Sequence, residues 1–93
     1  MLKTQLTNRV SSIILEHIRE EKGRLTRISD ESRINRKWFN VAGFARLRHH
    51  QMLRIIYTLC MELSPGEFNA MNCEIFNTVK DFADDFEYQL LDE

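Results

Sequence analysis

The chain is predicted to fold as an all-α bundle of five or six helices with a helical C-terminal extension, and three observations carry that expectation. Apolar residues recur at steps of three and four along most of its 93 residues, the spacing that keeps one face of a helix buried. Three Gly and one Pro are too few for the frequent turns of a β-rich fold. Ser64-Pro65-Gly66-Glu67 has the chemistry of a helix start: a Ser N-cap, Pro at the first position and Glu at the third to close a capping box. The length suits one domain. With 43% hydrophobic and 29% charged residues, such a chain can bury a core without metal or disulfides.

Val10, Ile14, Leu15 and Ile18 predict a first helix over about 8–22, with Gly23 at its C′ position. A short second helix is expected over 26–34, with Thr26 as N-cap and Ile28 and Ile34 inward. Asn35 can cap a third helix over 36–44, which turns Arg36 and Lys37 outward and Phe39 and Ala42 inward. A fourth helix is expected over 50–63, with Leu53, Ile56, Leu59 or Cys60, and Leu63 inward. From Phe68 the stripe Phe68, Met71, Ile75, Val79, Phe82, Phe86, Leu90 repeats at about 3.67 residues per turn, the spacing of a nearly straight helix. Asn69, Asn72 and Asn77 are weak helix formers, so this stretch reads either as one helix or as two meeting near residue 74.

A formal charge of −1 argues on its face against a nucleic-acid partner, but it is the sum of two opposed parts. Residues 1–60 hold twelve Lys and Arg against five Asp and Glu, a net +7. Residues 61–93 hold Lys80 against nine acids, a net −8. Such asymmetry points to nucleic-acid binding or to an interaction tail. The polar start and the absence of an 18-residue apolar run leave export and membrane spanning unsupported, and a cytoplasmic location is expected. Cys60 and Cys73 read as buried small hydrophobes. His17 reads as a boundary residue. Neighbouring His49 and His50 point about 100° apart on a helix and lack a third ligand at metal-binding spacing. No nucleophile, acid/base pair or Gly-rich phosphate loop is recognisable, so neither an enzyme nor a cofactor or metal is expected.

Leu15-Glu16-His17-Ile18-Arg19-Glu20-Glu21-Lys22-Gly23, Ile28-Ser29-Asp30-Glu31-Ser32-Arg33-Ile34-Asn35 and Met61-Glu62-Leu63-Ser64-Pro65-Gly66-Glu67-Phe68, in that order, resemble three landmarks of the lambdoid repressor/Cro-like (XRE-type) helix-turn-helix family. The resemblance covers about residues 10–70. It divides the chain into a DNA-binding domain, 1–70, and an acidic helical extension, 71–93, and implies a lambda-repressor-like bundle that regulates transcription by binding double-stranded DNA. The 36–44 helix would then enter the major groove while the second helix crosses the backbone. Arg36, Lys37, Asn40 and Val41 would face bases. Arg27, Asn35, Arg46, Arg48, His49 and His50 would meet phosphates. Repressors of this kind bind two half-sites, which implies a homodimer, with Phe76, Phe82, Phe86 and Leu90 as its candidate interface. The alternative is an antitoxin-like or adaptor module whose acidic apolar tail docks a protein partner.

The chain also departs from the family. Arg33 stands where members carry a turn Gly, at a cost of about 1 kcal/mol in a positive-φ conformation. Gly43 replaces a Glu that would pair with Arg19, so that ion pair is expected to be missing, and the spacing from Gly23 to Ile28 is about one residue short. Trp38 replaces a small polar residue and is expected to pack rather than stack on a base.

Overall fold

The computed structural model describes the backbone of residues 3–91 and the side chains of residues 4–84. Five α-helices follow one another: α1 Lys3–Arg19, α2 Arg24–Ser32, α3 Val41–Arg46, α4 His49–Glu62 and α5 Pro65–Leu91, with a 3₁₀ turn at Arg36–Trp38 between α2 and α3. The chain is all-helical, with no strand among the described residues. None of the described helices is long and apolar enough to cross a membrane.

α1 lies at the centre, packed along α5 on one side and against α3 and α2 on the other, while α2 packs on α4. Ile14, Leu15, Ile18, Ile28, Ile34, Phe39, Phe44, Ile55, Leu59, Leu63 and Met71 form the core. The expected helix start at 64–67 forms: Ser64 N–H donates to Glu67 Oε1 at 3.2 Å, and Glu67 N–H donates to Ser64 Oγ at 3.2 Å. α5 then runs unbroken through Asn69, Asn72 and Asn77, because tertiary contact along α1 outweighs a few tenths of a kcal/mol of poor propensity per residue. The expected division at residues 70 and 71 falls inside this helix.

Several expectations need correction. α1 ends at Arg19 and Gly23, at φ 85°, turns the chain directly into α2. Because α2 begins at Arg24, Thr26 lies inside it and does not cap it; its hydroxyl accepts from Arg36 Nη1 at 3.3 Å. On α4 the face packed on α2 runs through Ile55, Thr58 and Leu59, which leaves Leu53 58% exposed. Thr58 tolerates burial because its hydroxyl donates to the Arg54 carbonyl at 2.8 Å. On α5 the inward residues after Ile75 are Thr78 and Phe82, half-buried, whereas Val79 is 43% exposed. The spacing 71, 75, 78, 82 is that of a helix seam winding on a neighbour, and it turns Cys73 outward. Cys60 is only half-buried, enough to push its thiol pKa up through desolvation. Ala42 is exposed. His17 is buried at 4% exposure, its Nε2 3.1 Å from Glu74 Oε1, and so ties α1 to α5.

Candidate nucleic-acid interface

The segment after α2 is built by local hydrogen bonds. Arg33 ends the helix in the left-handed conformation, φ 61° and ψ 30°, the geometry for which Gly is the usual residue. The turn is held from beneath: buried Ser29 donates from Oγ to the Ile34 carbonyl at 2.6 Å, and Ile34 is buried in the core. Asn35 then caps the 3₁₀ turn, its Oδ1 accepting from Lys37 N–H at 3.0 Å.

The helix expected over 36–44 does not form as one piece. After Trp38 the backbone leaves helical geometry at Phe39 and Asn40, and α3 starts afresh at Val41. Three contacts hold the break. Asn40 N–H donates to the Trp38 carbonyl at 2.9 Å. The Asn40 side chain is used at both ends, Oδ1 accepting from Gly43 N–H at 2.6 Å and Nδ2 donating to the Lys37 carbonyl at 2.8 Å. A Cβ on Gly43 would overlap the Trp38 carbonyl, so the close approach needs glycine. The Phe39 carbonyl freed at the break accepts from Arg19 Nη2 at 3.2 Å, while the Phe39 ring packs edge-to-face on Phe44, 5.8 Å between centroids. Arg19 thus has a backbone partner, and no carboxylate pairs with it among the described residues.

The break decides which predicted base-facing groups are presented. Asn40 is exposed but uses both ends of its amide in the cap, and Val41 is half-buried against the core. Arg36 and Lys37 are exposed on the 3₁₀ turn. The Lys37 ammonium sits over the half-buried Trp38 ring, 5.4 Å from its centroid, so Trp38 packs as expected and also steadies a cation. Arg33, Asn35 and Arg36 border a shallow polar hollow with Ser29 and Asp30. At the other end of α3, Arg46, Arg48, His49 and His50 are all exposed. Arg33 carried no signal as a binding residue in the sequence beyond its departure from the family pattern.

Arg27, expected at phosphate, is engaged elsewhere. Its guanidinium grips Glu62 through Nε at 2.9 Å and Nη2 at 3.1 Å, and meets Glu21 at 3.2 Å. Arg24, 2% exposed, donates to the His17 carbonyl at 2.8 Å, Glu21 at 2.9 Å and Glu67 at 3.0 Å. Glu67 is held below the usual carboxylate range by the Ser64 backbone N–H first and Arg24 next, and Glu62 is lowered mainly by its hydrogen bond from Arg27. These ions join the end of α1, the start of α2, and the junction of α4 and α5. Among the described residues no carboxylate pairs with Arg33, Arg36, Lys37, Arg46 or Arg48.

Of the candidate dimer residues, Phe76 is 67% exposed and Phe82 half-buried; the side chains of Phe86 and Leu90 lie outside the described residues. Among the described residues no group of His, Cys, Asp and Glu is placed to hold a metal ion. Compared with known protein families, curated proteins and solved structures, the chain matches none.

Proposed function

We propose that the chain is a DNA-binding regulator of the lambda-repressor-like helix-turn-helix type, with the turn after α2 as its principal contact to duplex DNA. The observation that carries this reading is the sorting of the basic residues. Arg24, buried, and Arg27, at the surface, are both paired with carboxylates, while Arg33, Arg36 and Lys37 stand exposed and without a carboxylate partner on one short, hydrogen-bonded turn. Arg46 and Arg48, with His49 and His50, extend the cationic surface beyond α3. Phosphate contacts would supply most of the affinity. Base reading falls to Arg36 and Lys37, whose donors suit guanine O6 and N7. With Asn40 and Val41 committed to the fold, discrimination between sequences should be modest for the family.

Fluorescence anisotropy of labelled duplexes, random and selected from a pool, at two salt concentrations tests the proposal. Binding should weaken steeply with salt, Arg46→Ala with Arg48→Ala should together reduce the slope of log K against log salt by about two, and Arg36→Ala should relax the preference for the selected duplex over the random one. Absence of binding to every duplex at low salt contradicts it. A second reading, a protein-interaction module acting through α5, is favoured by one observation: Phe76 and Val79 are exposed on that helix.

A further inference from the structure

Arg36 stands on the 3₁₀ turn that follows α2, and Thr26 in the first turn of α2 itself. Both side chains are exposed, yet they meet: Arg36 Nη1 donates to Thr26 Oγ1 at 3.3 Å. The choice of a hydroxyl matters. A carboxylate, such as those that hold Arg24 and Arg27, fixes an arginine and cancels its charge, whereas a neutral oxygen fixes it and leaves the charge for a ligand. The atom matters too. Thr26 takes Nη1, and the opposite edge of the guanidinium keeps Nε and Nη2, two parallel donors suited to guanine O6 and N7.

We infer that Thr26 is a positioning residue for base reading, which aims Arg36 before DNA arrives and so sets the preference between sequences. Thr26 is β-branched and lies on a helix, which restricts its χ1, and α2 is anchored in the core through Ile28. Its hydroxyl is therefore a fixed point against which the longer side chain is held. An arginine already aimed loses less freedom when it meets a base edge. Attraction to phosphate depends on charge and little on aim. Thr26 should accordingly govern discrimination and leave the affinity for duplex in general as it is. The inference rests on the DNA-binding reading of this turn, and it adds to that reading a residue of α2 that touches the reader and not the base.

A double-mutant cycle on the full chain tests it, with affinities for a selected and a random duplex measured by fluorescence anisotropy. Thr26→Val removes the acceptor at an exposed position, and the helical circular-dichroism signal and melting temperature should be retained. The preference for the selected duplex should fall about 3- to 10-fold, the worth of one hydrogen bond, with the random-duplex affinity and the salt slope unchanged. Thr26→Ser, which keeps the hydroxyl, should restore the preference. With Arg36→Ala already in place, Thr26→Val should have no further effect. Equal weakening on both duplexes would make Thr26 a phosphate contact and overturn the inference. So would a loss that persists without Arg36, or a preference that Thr26→Val leaves unaltered while the parent discriminates. A parent chain that binds no duplex removes the DNA-binding reading and this inference with it, so the two failures are told apart by the parent alone.

Discussion

Arg24 and Arg27 at the start of α2, and Arg33 and Arg36 just past its end, are the same residue type within a dozen positions, yet they do opposite work. Arg24, buried, and Arg27, at the surface, bond to Glu21, Glu62 and Glu67 and join four helix ends. The second pair faces solvent on a turn fixed by Ser29 and Asn35. The contrast teaches that the charge of +7 over residues 1–60 overstates the cationic surface: part of it is neutralised by acids drawn from the same segment and from α4 and α5. What remains available is concentrated around the segment from Arg33 to Arg48.

If the first pair is structural, removing it should damage the fold most. Arg24→Met leaves Glu67 and the His17 carbonyl without their buried donor. It should cost about 2–4 kcal/mol, below the upper range for broken buried pairs because Glu21 and Glu67 are partly solvated. A fall in the urea midpoint at unchanged slope checks this; a midpoint within error of the parent would show that the network does not hold the helices. Gly43→Ala comes next. Its methyl group meets the Trp38 carbonyl, so the break after Trp38 must open, at about 1–3 kcal/mol. If the variant is instead more stable, as Ala in an ordinary helix would be, the 36–44 segment is a continuous helix and the presentation of Arg36 and Lys37 changes with it.

The smallest effect expected is on pH dependence. Glu62 and Glu67 have folded pKa values below the ordinary 4.5, so below that value the unfolded chain takes up protons that the folded chain resists. Their contribution to stability is complete above the unfolded pKa and is lost as pH falls through the lowered folded values. Urea midpoints measured downward from pH 6 should therefore begin to drop near pH 4.5, and Glu67→Gln should flatten part of that fall. An unaltered profile would remove these carboxylates from the network.

Much of the helical layout was legible because it is written locally. The 64–67 capping box needs only four residues to announce α5, and the periodicity around Ile14 and Ile18 needs only one turn of context. The errors arise where distant groups decide. Nothing near Arg27 shows that Glu62, 35 residues away, will hold it. The break after Trp38 depends on a carbonyl pressed against Gly43 and on one Asn using both ends of its amide. Asn40 suits an adenine and a helix cap equally well by type, and only the backbone geometry chooses. Leu53 fits the helical period of an inward residue, but that period does not say which of two apolar stripes, 53-57-61 or 55-59, faces α2. Of the interface, Arg36 and Lys37 were visible as outward residues of a capped segment, while Arg33 required the left-handed turn to bring it beside them.

The contrast between the two arginine sets is tested most directly by mapping amide chemical shifts of the isotope-labelled protein during titration with a duplex. Perturbations are expected to concentrate at Arg33 to Lys37 and at Arg46 to His50, and to leave Arg24, Arg27 and Glu67 unmoved. Shifts confined to α5, or centred on Arg24 and Arg27 with Arg33 to Lys37 silent, would contradict the assignment of the free turn as the DNA contact.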